Sequence, residues 1–86
     1  MKKEYVLAFS SFYKAAYAAD KLTENKVRST VRKLPPEIAK SCGYALYLVT
    51  ASIQTVLDIL EKNEITTKGV YLMQKEDGKT VYHQIA

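Results

Sequence analysis

Two stretches of helical periodicity are separated by two strand-like runs, and that order restricts the fold more than any single residue does. Phe12, Ala15, Ala16, Ala19 and Leu22 recur at i, i+3, i+4, i+7 and i+10, one face of a helix. Ile53, Val56, Leu57 and Leu60 repeat the pattern at i, i+3, i+4 and i+7. Ser10 or Ser11 supplies an N-cap for the first helix, and Thr50 or Ser52 for the second, because a hydroxyl accepts from a free N–H of the first turn. The first helix runs down at Glu24 or Asn25.

The segments around these helices read as strands. "EYVLAFS", residues 4 to 10, is a β-branched and aromatic run of strand length. "KVRSTVRKL" alternates, with Val27, Ser29 and Val31 on one face and Arg28, Thr30 and Arg32 on the other, the pattern of a half-exposed edge strand. Pro35 and Pro36 end it, since neither can donate to a ladder. "GYALYLV" reads as a buried strand. "GVYLMQ" and "KTVYHQI" flank Asp77-Gly78, a type I′ hairpin signal. The order is β-α-β-β-α-β plus one strand. This predicts an α+β, ferredoxin-like two-layer sandwich with an added C-terminal β-strand. Residues 1–86 form a single domain, because a chain of 86 residues buries roughly 60–65% of its unfolded surface, enough for one core.

Composition removes several function classes. The formal net charge of +4 is spread along the chain, with only Arg28, Arg32 and Lys33 approaching a cluster, which reads as a solvated basic face. No apolar run approaches the ~20 residues of a membrane span. Glu4, Ser10, Ser11 and Lys14 interrupt the N-terminal segment, so it lacks the apolar run of a signal peptide, and the expected location is cytoplasmic. One cysteine and one histidine provide no zinc-type ligand set, and the three glycines form no phosphate loop. No metal and no cofactor are expected.

The segment "LPPEIAKSCGYAL", residues 34 to 46, departs from the rest and carries the only cysteine, Cys42. In the expected topology this connection lies at the end of the sheet where the first helix begins, beside Ser10 and Ser11. A helix N-terminus stabilises an anion and lowers the pKa of a nearby thiol. Lys40 adds positive charge if it points inward. Gly43 removes bulk beside the cysteine, allowing close approach to the backbone. The alternative is that Cys42 is a small buried hydrophobe without chemistry.

The same segment resembles the selenium/sulfur carrier protein-like family of small bacterial domains. Its members carry a loop reading roughly Pro-Arg-Glu-Ile-Ser-Ser-Ser-Cys-Gly-Leu-Ala-Leu. Pro35, Glu37, Ile38, Ser41, Cys42, Gly43, Ala45 and Leu46 match by position, and the likeness extends over about residues 3 to 73. Pro36 stands at the arginine, and Ala39 and Lys40 replace serines. The resemblance implies a sulfur or selenium carrier in which Cys42 accepts a persulfide sulfur, with Ser10, Ser11, Lys40, Ser41 and Gly43 around it. Its partners would be a donor enzyme and an acceptor protein. Such a protein is a carrier or accessory factor rather than a stand-alone enzyme.

Two other readings come from the residues. A protein-interaction or regulatory module, homodimeric or docked to another protein, would use the sheet face that the helices leave bare. An RNA-binding module would stack bases on strand aromatics, with Tyr44 in the third-strand position. Leu46 stands where the second aromatic belongs, so nucleic acid is expected to bind weakly and without sequence preference, if at all.

Overall fold

A computed structural model describes residues 2–38 and 43–86. It contains β1 (Lys3–Phe9), α1 (Phe12–Glu24), β2 (Thr30–Lys33), β3 (Tyr44–Thr50), α2 (Ile53–Lys62), β4 (Gly69–Glu76) and β5 (Lys79–Gln84). The strands form one antiparallel sheet in the order β2-β3-β1-β4-β5. This is the ferredoxin-like α+β sandwich, with the added strand paired to β4. Asp77 and Gly78 both have positive φ, 53° and 78°, the type I′ geometry that matches the twist of the β4–β5 hairpin.

Ser11 caps α1, its Oγ accepting the Lys14 N–H at 3.2 Å. Ser52 caps α2 in the same way, accepting the Thr55 N–H at 3.4 Å, while Thr50 Oγ1 accepts the Ser52 N–H at 3.1 Å. The core lies between helices and sheet. Tyr5, Leu7 and Phe9 of β1, Leu46 and Leu48 of β3 and Val70 of β4 pack under Ala15, Ala18, Leu22, Val56 and Leu60. Burial of each large side chain contributes ~1.5–3 kcal/mol.

The buried stripe of α1 is Ala15, Ala18 and Leu22, so it differs from the face read in the sequence. Ala16 is only partly buried, and Phe12 is 49% exposed. Alanines at 15, 16, 18 and 19 give the helix nearly the same small surface on several faces, so apolar spacing alone does not orient it. β2 is also shorter than the alternating run. Residues 25 to 27 use their N–H groups to cap α1 instead: Asn25 and Val27 donate to Leu22 O at 3.0 and 2.8 Å, and Lys26 to Thr23 O at 2.9 Å.

The sheet face away from the helices is less bare than its topology suggests. Val6 and Ala45 are fully buried there and Ala8 is 3% exposed. Half-buried Tyr47, Tyr71 and Tyr82 surround them. The start of the β2–β3 loop supplies further cover. Pro35 is buried, Ile38 N–H donates to Pro35 O at 3.0 Å, and Glu37 and Ile38 share a cavity of about 480 Å³ with Tyr71, Tyr82 and Gln84. β2 and β5 are opposite edges of the sheet, ~19 Å apart at ~4.8 Å per strand spacing. The loop therefore reaches over the sheet rather than away from it.

Candidate functional site

The β2–β3 loop is closed at its base, where Leu34 N–H donates to Gly43 O at 3.2 Å. Of the residues singled out in the sequence, Lys40, Ser41 and Cys42 lie outside the described residues. Ser10, Ser11 and Gly43 are described, and the β1–β3 register brings them together. Phe9 pairs with Tyr44, so Gly43 comes alongside the peptide that leads into the Ser10-Ser11 turn.

A Cβ built on Gly43 would lie 3.1 Å from Phe9 O and 2.6 Å from Leu34 Cδ1. The space at this glycine is therefore occupied by the protein's own chain, which the sequence reading assigned to an approaching molecule. Its φ is outside the left-handed region, so crowding rather than backbone conformation calls for glycine here.

The start of α1 is electrostatically positive. Its first N–H groups have no intrahelical partner, and the first turn contains no acidic side chain to offset them. Ser11 Oγ occupies one of these donors, that of Lys14. Ser10 is exposed and Ser11 half-buried.

An aromatic group adjoins this turn. The Phe12 ring packs edge-on against Tyr44 at 5.5 Å between centroids and against Tyr13 at 6.1 Å. Tyr13 is 83% exposed. The sequence reading placed Phe12 on the core face and missed Tyr13. The available signal was two consecutive aromatics at a helix start, where one stripe cannot bury both.

A second polar group lies beneath the loop on the opposite sheet face. Burial raises the Tyr47 pKa above its ordinary value, with contributions from Tyr82 and Glu37, while Arg32 opposes the shift. Burial also raises that of Tyr82, with Glu37 adding to the effect. The Arg32 guanidinium carbon sits 5.6 Å from the Tyr47 ring centroid, a cation–π arrangement.

Alternation along β3 therefore separates the two tyrosines: Tyr44 is on the helix side with Phe12, and Tyr47 on the open face. Tyr5 is in the core. Neither Tyr5 nor Tyr44 is presented on the open sheet face where an RNA-recognition domain stacks bases. His83 is exposed on edge strand β5, with Nε2 2.9 Å from Glu76 Oε2. Among the described residues, no three His, Cys, Asp or Glu side chains gather as a metal site, and no helix is long and apolar enough to cross a membrane.

Comparison with known proteins now decides the family. The family model described as "Putative Se/S carrier protein-like" matches residues 4–72. The chain belongs to this family. The match begins in β1 and ends in β4, and so contains the whole β2–β3 loop together with the start of α1. Among curated proteins, none matches the chain. The crystal structure of a functionally unknown protein from Pediococcus pentosaceus ATCC 25745 is similar at 17% identity with a TM-score of 0.54. The likeness covers 99% of this chain and 83% of that one, so the fold, β5 included, is shared.

Proposed function

We propose that this Se/S carrier-family protein is a chalcogen carrier whose working group is the Cys42 thiolate. The thiolate attacks the terminal sulfur of a persulfide on a donor enzyme. A new S–S bond forms on Cys42, the donor's S–S bond breaks, and the donor sulfur leaves as a thiolate. No external oxidant is needed. Transfer to an acceptor thiolate repeats the exchange in the opposite sense, and a selenium atom bound in the same manner follows the same chemistry. Rate depends on the thiolate fraction and on access.

The observation that carries this reading is the register that brings Gly43, one peptide bond from Cys42, beside the uncompensated N-terminus of α1. Such a helix end favours the thiolate over the thiol. The presence of a single cysteine also fits, since no second thiol within the chain can displace the carried atom by closing a disulfide. The aromatic group of Phe12 and Tyr13 is a contact surface for the donor in the same region.

The test is incubation of the reduced protein with a persulfide-loaded cysteine desulfurase, followed by intact-mass and peptide mass spectrometry. One sulfur added at Cys42, absent in Cys42→Ser and removed by an acceptor thiol, is the expected result. No mass gain under conditions that load a control thiol refutes the proposal.

A further inference from the structure

A second site lies at the opposite end of the sheet. β3 runs from Tyr44 to Thr50, so the two ends are ~20 Å apart at ~3.3 Å per residue. Between the start of β2 and the end of β3 is an open cleft of about 730 Å³. Lys2, Lys26 and Arg28 line it together with five hydroxyl-bearing residues, Thr23, Ser29, Thr30, Tyr47 and Thr50, and among the described residues no carboxylate lines it. The volume is that of a small-molecule site.

Three observations make this more than a patch of surface lysines. First, Glu24 pairs with Lys21 at 3.5 Å, and Glu4, which stands opposite Val49 in the β1–β3 register, lines a neighbouring cavity that shares Lys2 with the cleft. Second, the carbonyl end of α1, which would repel an anion, is already satisfied. Leu22 O and Thr23 O accept from residues 25 to 27, and Lys21 O accepts from Asn25 Nδ2 at 2.9 Å. The same cap fixes the backbone of Lys26 at φ 64°. Third, the Ser29 hydroxyl is buried without a hydrogen-bond partner among the described residues. Buried hydroxyls are commonly met by an ordered water, and a water on Ser29 would adjoin a ligand in the cleft.

From this we infer that the cleft binds a small phosphate-bearing molecule of nucleotide size. Its phosphates would lie against Lys2, Lys26 and Arg28, and its apolar part against Val27 and Val49. Three cations match the several charges of a di- or triphosphate better than a single carboxylate. The inference does not rest on the carrier reading, since the cleft and the thiol-bearing loop are at opposite ends of the sheet.

Titration of the full chain with inorganic pyrophosphate and with ADP, followed by ¹H–¹⁵N spectra at near-physiological salt, tests it. Saturable shifts confined to amides of residues 23–30 and 47–51 are expected. Lys2→Glu/Arg28→Glu changes two exposed residues outside the helix cap and should weaken binding about tenfold or more while leaving the remaining spectrum intact. Arg28→Gln alone serves as the second variant and should weaken it in the same direction. Absence of saturation at millimolar ligand overturns the inference. So do equal shifts at the distant Lys62, Lys68 and Lys79, which would indicate charge alone. A single-stranded oligonucleotide that binds the cleft in preference to ADP, with steep salt dependence, overturns it in favour of a nucleic-acid backbone.

Discussion

Gly43→Ala tests whether the thiol-bearing loop is held by crowding at its base. The new methyl group would lie 2.6 Å from Leu34 Cδ1 and 3.1 Å from Phe9 O. Carbon atoms pack best at ~3.5–4.0 Å, so Leu34 must move by about 1 Å. Its terminal methyl is at the flexible end of a half-buried side chain and can do so at moderate cost. The Phe9 carbonyl belongs to the central strand and cannot follow. Overpacking of this type costs ~1–3 kcal/mol. Reduced freedom of the unfolded chain offsets ~0.4–1 kcal/mol of that, because the backbone here suits alanine.

Combining the overpacking cost with the unfolded-chain offset leaves a net loss of about 0–2.6 kcal/mol, with ~1.3 kcal/mol at mid-range. For a chain of this size each kcal/mol lowers Tm by ~4–8 °C. Thermal and urea unfolding followed by circular dichroism measure both. Leu34→Ala provides the decisive comparison, because it removes the methyl that clashes. In a double-mutant cycle the pair should be more stable than the summed single effects by about 1 kcal/mol, the coupling expected of side chains in contact. A Gly43→Ala protein more stable than the parent refutes the reasoning. Additivity within ~0.5 kcal/mol also refutes it, because the cost would then not come from Leu34.

Two further outcomes concern the cap and the tyrosines. Ser11→Ala should lower stability by ~1 kcal/mol in urea unfolding through loss of the bond to the Lys14 N–H, while Ser10→Ala, which caps nothing, should stay within ~0.5 kcal/mol of the parent. Tyr47 and Tyr82 both have pKa values raised above 10.0 in the folded protein, so their neutral forms are favoured by folding. The unfolded chain ionises first, and their contribution is intact below pH 10.0 and lost as pH rises through the raised values. Urea midpoints measured between about pH 9 and 11 should fall, and fall less in Tyr47→Phe and Tyr82→Phe, whereas parallel slopes in all three proteins would contradict this assignment.

The element order was legible because it rests on strong local signals. Ser11 and Ser52 cap where a hydroxyl precedes a periodic run, and Asp77-Gly78 supplies the two positive φ values that a two-residue hairpin needs. The helical face of α1 was not legible in full. Four alanines give almost no moment between neighbouring faces, and the choice falls to tertiary fit against Phe9 and Leu46. Residues 26–29 read as strand but lie before β2, because alternation does not reveal that the N–H groups of Lys26 and Val27 are needed by the preceding helix. At the candidate site, topology alone predicts that the β2–β3 connection with Cys42 lies by the Ser10-Ser11 turn; the register brings Gly43 there, while Cys42 itself lies outside the described residues. The contact with Leu34 does not follow from topology, since it depends on where a loop side chain lands. Tyr47 and Tyr82 are far apart in sequence, and only strand order brings both onto the open face.

The β2–β3 connection is where fold and function separate. Antiparallel neighbours of this kind need only ~2–5 residues to reverse direction. Here Leu34 and Gly43 already close the ladder, and residues 35 to 42 lie between them. Sheet pairing does not require those residues, because β2 and β3 are in register below them. Pro35 and Ile38 nonetheless anchor the start of the loop on the open face, and Gly43 fits its end against Leu34 and Phe9 O. A connection longer than the turn needs, yet held at both limbs, is costly in chain entropy and gains nothing for the topology. Presenting side chains from a fixed scaffold is what such loops do. The sequence that follows Ile38 contains the chain's single thiol, and in the proposed carrier the loop's length and anchoring serve to present it.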